Sequence, residues 1–235
     1  MQAEATIIEI HEETPTVKSF LLDLGGAPFQ FFPGQWVDFY IETASGLQIG
    51  GFSITSSPTV EGTIELAVKR LPYGIPAQYL HDKARIGDSF HIDGGSGKFY
   101  YRKSKGGPLL LIAGGIGITP IISIARYVAD NRLDIDMDIL YSAATPSEFA
   151  FKPTIEEIVA SSPRFNCLFT TTKDSTEHWS GRTGRIDSPL LSQYAGGDAD
   201  PLIYLCGPQP MIDDLKHTLI DIGVSESKIN AERWW

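Results

Sequence analysis

The sequence predicts two domains: an antiparallel β-barrel over residues 1–103, then a parallel α/β sheet over residues 104–235. Three observations predict it. Short β-rich runs punctuated by Gly, Pro and Asp fill the first part. From Pro108 apolar strands alternate with helical patterns. Between them, Leu109 to Pro120 (LLLIAGGIGITP) reads as a buried strand, a glycine turn and a helix start.

In the barrel, strands are expected at Thr6–Ile10, Val17–Asp23, Trp36–Ile41, Ile64–Val68 and Ser89–Ile92, with one short helix at Ala77–Ala84. Arg102–Gly107 reads as the linker. Strands follow at Leu109–Ala113, Ile135–Tyr141, Cys167–Thr171, Leu202–Cys206 and near Ile229. Helices are expected at Pro120–Asn131, Pro153–Ala160, Pro189–Tyr194 and Pro210–Ile222, the last ended by Gly223. That alternation specifies a Rossmann-like sheet with helices on both faces.

Gly114, Gly115 and Gly117 allow a tight turn and close approach of a ligand. Thr119 suits the helix N-cap and Pro120 the first helical position. A strand feeding such a turn offers free N–H groups and a helix dipole to a phosphate. The loops Gly114–Pro120 and Cys206–Met211 are expected to face each other across one crevice at the carboxyl ends of the strands.

Composition narrows the function. The net charge is -10, and both halves are acidic: residues 1–103 carry 8 basic and 12 acidic side chains, the rest 11 and 17. Nucleic acid and anionic membranes are poor partners for such a chain. The two cysteines, Cys167 and Cys206, are too few for a four-cysteine cluster or a disulfide scaffold. The five histidines lack metal-ligand spacing, so no metal is expected. No apolar run nears the ~20 residues of a membrane span. The N-terminus lacks the order of a signal or transit peptide, and a cytoplasmic protein is expected.

Pro33-Gly34-Gln35, then FSITSSP (Phe52 to Pro58), then GGIGITP, then CGPQPM, in this order across nearly the whole chain, resemble the ferredoxin–NADP reductase superfamily. The likeness is greatest to the stand-alone oxidoreductase NAD-binding domain-containing type, which shares the Gly-Gly-Phe-Ser start of the flavin motif and an acidic residue shortly before a terminal Trp-Trp.

The resemblance implies a flavin in the barrel and a pyridine nucleotide on the α/β domain. Phe52 would stack on the isoalloxazine, Ser53 would hydrogen-bond near N5, and Ile54 and Thr55 continue the motif. The Arg that pairs with the flavin pyrophosphate is replaced by Gly50. In the second flavin motif, Gly74-Ile75-Pro76-Ala77, Ala77 stands where the family has a hydroxyl. A hydrogen bond to a charged group is worth roughly 1.5–3 kcal/mol, so FAD is expected to bind more weakly than is usual in the family, with FMN or a flavin-free state as alternatives. Lys69 or Arg70 could restore a charge there, or could simply be solvated rim.

Gly114, Gly115, Gly117, Thr119 and Pro120 match the family's pyrophosphate turn. Cys206, Gly207, Pro208 and Met211 match its CGPxxM loop, with the cysteine beside the nicotinamide. Glu232 matches the acidic residue of the C-terminal ending. Trp234, or alternatively Trp235, matches the aromatic that covers the flavin. Thr172 and Lys173, with Arg182 and Arg185, are the candidates for a 2′-phosphate, and Lys173 tilts the choice slightly toward NADPH.

The reading that follows is an NAD(P)H-dependent flavin reductase. It passes hydride from NAD(P)H to FAD, with Ser53, Cys206 and Glu232 as its catalytic groups. Electrons pass on to a separate acceptor, either a small molecule or a redox protein. The acidic charge disfavours an acidic ferredoxin. The alternative is a flavin-poor, nucleotide-binding or regulatory electron-transfer subunit.

Overall fold

The computed structural model describes residues 1–43, 46–173, 179–197 and 199–234, with Trp234 described by its backbone alone. Six strands build the first sheet: β1 (Gln2–Thr14), β2 (Val17–Asp23), β3 (Trp36–Thr43), β4 (Gly46–Ser53), β5 (Thr63–Lys69) and β6 (Ser89–Ser96). They pair antiparallel in the order β4-β3-β6-β1-β2-β5. An antiparallel bridge between Ile54 and Leu66 joins the two ends and closes the barrel. Its interior holds Ile7, Phe20, Val37, Phe39, Ile54 and Ile92, none more than 1% exposed. One helix, α1 (Ile75–Asp82), starts two residues earlier than expected and sets Ala77 and Leu80 on this core.

The second sheet is parallel. Its strands are β7 (Leu109–Gly114), β8 (Met137–Ala143), β9 (Phe165–Thr171), β10 (Arg182–Thr183), β11 (Leu202–Pro208) and β12 (Ile229–Trp234). The helices are α2 (Ile118–Asp130), α3 (Lys152–Ala160), α4 (Ser188–Ala195) and α5 (Gln209–Asp221). The strand order is β10-β9-β8-β7-β11-β12, so the topology reverses beside β7. All six β7 residues are buried, as a central strand requires. Helices α2 and α3 pack on one face, α4 and α5 on the other. Gly223, at φ 96°, ends α5 as expected.

One apolar cluster crosses the seam between the sheets, joining Val17, Ala67, Phe99 and Tyr101 to Ile121, Ile124 and Tyr204. Polar contacts reinforce it. Ser123 Oγ of α2 donates to the Ser56 carbonyl at 2.7 Å. Thr16 Oγ1 donates to Glu148 at 2.6 Å, and the Tyr204 hydroxyl to the Tyr100 carbonyl at 3.0 Å.

Thr119 is not the N-cap of α2. The chain passes through a 3-10 turn, Gly115–Gly117, directly into the helix, and Gly117 takes the cap position with helical φ and ψ. Thr119 therefore lies one residue inside, where its hydroxyl donates back to the Ile116 carbonyl at 2.9 Å.

Candidate active site

Every carboxyl end of the parallel sheet opens toward the same side, and two glycine-bearing loops meet there. They touch through Gly117 and Gly207 and, as expected, both line one cleft. A Cβ on Gly117 would lie 2.7 Å from the Gly207 amide nitrogen, and one on Gly114 would lie 3.0 Å from Pro208 Cδ and collide with the Met211 sulfur. Glycine is required at Gly117 because backbone packs on backbone, and at Gly114 because the Pro208 and Met211 side chains fill the space. Gly115 differs: its φ is 54° and nothing lies within 4 Å of its Cβ direction, so its turn faces open space.

That space is a cleft of about 360 Å³. Gly114 and Gly115 line it, with Ser142, Thr172, Pro208 and Met211. Arg185 also lines it, while Lys173 does not. Arg182 is committed elsewhere, donating from Nη2 to Asp187 at 2.7 Å. Ser142 and Arg185 reach the site through the strand register and the β10 turn, which no local pattern announces. Thr171, 1% exposed, ends β9 with a hydroxyl that has no hydrogen-bond partner among the described residues.

A second cleft, of about 330 Å³, lies between the barrel and the glycine turn. Phe52, Ser53, Val68, Ile116 and Thr119 line it toward the seam, and Gly50, Gly74, Pro76 and Ala77 line it toward α1. Ser53 is 3% exposed, and its Oγ has no partner among the described residues. An unsatisfied buried hydroxyl in a cleft wall is a group held ready for a ligand atom. Ile54 and Thr55 sit just behind the wall. Ile54 belongs to the barrel core, and the Thr55 hydroxyl donates to Glu65 Oε2 at 2.6 Å. Neither side chain lines the cleft. Lys69, at the end of β5, lines both clefts. Arg70 turns away to Asp82 at 2.8 Å.

Parallel pairing of β11 with β12 sets Glu232 beside Cys206, and pairing with β7 sets Cys206 beside Ala113. Cys206 is fully buried. Glu232 Oε2 is buried without a partner among the described residues, and burial pushes its carboxyl up to about 7. Trp234 continues β12 opposite Pro208. Trp235 lies outside the described residues. Cys167 is remote from this group, and burial pushes its thiol well above the usual range, which leaves it inert.

The donor set fits a flavin ring and a pyridine nucleotide. The ring end of the barrel cleft is apolar, with one free hydroxyl at Ser53. The nucleotide cleft offers a glycine turn at a helix start and an arginine.

Comparison with known proteins agrees with this division. Residues 4–101 match the oxidoreductase FAD-binding domain model, and residues 111–217 the oxidoreductase NAD-binding domain model. Oxidoreductase NAD-binding domain-containing protein 1 of Danio rerio is 36% identical over 252 residues, covering 98% of this chain and 91% of the relative. Two solved structures share the fold at low identity. The flavohem-like FAD/NAD-binding domain of nitric oxide dioxygenase from Vibrio cholerae superposes with a TM-score of 0.89 at 22% identity, covering 99% of this chain and 98% of that one. A ferredoxin NADP+ reductase from Neisseria gonorrhoeae, with bound FAD and NADP, gives 0.82 at 21% identity, covering 100% and 99%. No helix among the described residues is long and apolar enough to cross a membrane. With both of its domains matched and a relative aligned end to end, the chain belongs to the oxidoreductase NAD-binding domain-containing family, an FAD- and NAD-binding branch of the ferredoxin–NADP reductase-like oxidoreductases.

Proposed function

We propose that the protein is an NAD(P)H-dependent flavin reductase, with flavin held by residues 1–103 and pyridine nucleotide by residues 104–235. The observation that carries this reading is the orphaned Ser53 hydroxyl in the wall of a cleft that shares Lys69 with the nucleotide cleft. A bound flavin supplies the hydride-accepting chemistry. The chain's own residues position it. Phe52 provides an apolar face and Ser53 Oγ–H a donor for a ring nitrogen. Gly114, Gly115 and Gly117 shape the turn for the nucleotide pyrophosphate.

Cys206, Gly207, Pro208 and Met211 form the floor against which the nicotinamide lies. Glu232, neutral below about pH 7, can hold a proton at its carboxyl oxygen in that floor without placing a full negative charge there. Trp234 and Trp235 supply the aromatic cover. Thr172 and Arg185 line the adenosine end, where the arginine favours NADPH slightly over NADH. FAD is the flavin of the matched domain, and FMN is the alternative. The acceptor is a separate small molecule or a redox protein less acidic than this chain, in a cytoplasmic setting.

The test is the visible spectrum of purified protein incubated with FAD, followed by anaerobic addition of NADH or NADPH. Bleaching of the flavin bands by either nucleotide supports the reading. Failure of the protein to speed that bleaching at any flavin concentration overturns it. The second reading, a flavin-poor nucleotide-binding subunit, draws on Gly50 and Ala77 and is what remains in that case.

A further inference from the structure

The flavin cleft carries groups for a ring and few for a phosphate. A Cβ on Gly50 would lie 2.7 Å from Pro76 Cβ and 2.9 Å from two Phe52 ring atoms, so the space in which a cationic side chain would start is filled. Helix α1 presents its first turn to the same wall. Its N-cap, Gly74, makes no side-chain hydrogen bond. Pro76 has no N–H to give, and Ala77 has no hydroxyl. At the rim, Ile49 and Tyr73 line the cleft and are 54% and 62% exposed. Among the described residues, Lys69 is the cation that lines this cleft, and it lines the nucleotide cleft equally. At the opposite end stands the unpartnered Ser53 hydroxyl with Phe52 and Ile116.

We infer that this protein takes flavin as a diffusible substrate, recognised through its isoalloxazine ring, with riboflavin, FMN and FAD accepted alike. The inference rests on the flavin reading given above and deepens it. A charged contact to a phosphate is worth roughly one to two decades of affinity, and a site whose one cation is shared with the nucleotide cleft forfeits both that affinity and the preference for FAD. In the balanced reaction a hydride leaves C4 of NAD(P)H, which becomes NAD(P)+. The hydride's two electrons enter the flavin with its proton at N5, a second proton comes from solvent, and the dihydroflavin departs as product. The chain then needs no docking surface for a protein acceptor, since the reduced flavin itself carries the electrons away.

The test is equilibrium dialysis of the protein against riboflavin, FMN and FAD in turn, without pyridine nucleotide. Dissociation constants within about fivefold of one another are expected. FAD bound more than about fivefold tighter than riboflavin overturns the inference and leaves the reductase reading standing. Binding of none of the three overturns both. Two variants locate the recognition. Ser53→Ala should weaken all three flavins by the same factor, and Lys69→Met should leave the ratio of FAD to riboflavin affinity unchanged. A loss confined to FAD in either variant would show that the phosphate end is read after all.

Discussion

Arg126 of α2 places Nη1 2.6 Å from Glu65 Oε2 of β5, and the same carboxylate oxygen accepts the Thr55 hydroxyl at 2.6 Å. The guanidinium also donates to the Thr55 carbonyl at 3.0 Å. The helix that follows the glycine turn thus grips the loop that follows Ser53. Both side chains are largely buried, at 21% and 18% exposure, so solvent and salt screen the pair little. The two clefts are held in a fixed relation by a contact that touches neither.

Arg126→Met should therefore destabilise the protein by about 1–3 kcal/mol, because it leaves a mostly buried carboxylate and a carbonyl short of a partner. Thermal unfolding should fall by roughly 3–10 °C for a chain of this size. Thr59→Ala, which removes an exposed hydroxyl contact to Asp130 on the same helix, should shift it by less than about 0.5 kcal/mol.

Glu232 makes stability pH-dependent in a defined window. Its carboxyl rises from 4.5 to about 7 on folding. Between those values the unfolded chain releases the proton while the folded chain keeps it, so this residue's contribution declines as pH rises from 4.5 to 7 and is level above. Partial exposure reduces the full shift to about 2 kcal/mol. Glu232→Gln should stabilise the protein by that amount at pH 8 and change little near pH 4.5, as read by urea unfolding at the two pH values.

The glycines of the turn should separate into two kinds. Gly117→Ala forces a Cβ into the backbone at Cys206 and Gly207, and should cost several kcal/mol and abolish nucleotide binding. Gly115→Ala meets open space and carries only the penalty of φ 54°, about 1 kcal/mol. Calorimetric titration with NADPH and NADH distinguishes the two.

Nucleotide preference should rest on Arg185. It lines the cleft, whereas Arg182 is tied to Asp187. Arg185→Ala should raise the dissociation constant for NADPH by about tenfold and that for NADH by much less, in line with loss of one charged hydrogen bond to a 2′-phosphate. Equal weakening of both would place the arginine on the pyrophosphate.

Much of this was legible in the sequence, and what was not has physical reasons. The β7 run and the glycine turn announce themselves because a buried strand and a tight turn each impose a local composition. Strand β4 does not: Gly46, Gly50 and Gly51 give it little intrinsic β-preference, and it is a strand because all eight of its residues pair with β3. Thr119 carries the right chemistry for a cap two residues too late, since the 3-10 turn runs directly into the helix and Gly117 takes the cap. Arg126 looks like one polar residue on an amphipathic helix, and its partner Glu65 is 61 residues away. Lys173 and Arg185 are equivalent in composition, and only the placement of β10 beside β9 brings Arg185 to the cleft.

The backbone contact between Gly117 and Gly207 makes two loops from different strands a single mechanical part. No side chain stands between them to change rotamer and absorb a displacement. A shift of the turn that receives one half of a dinucleotide is passed undiminished to the loop that receives the other half, and an insertion in either would have to be matched in its neighbour. The spacing of the site is therefore set by direct backbone contact, with no side chain between the two loops whose rotamer could alter it.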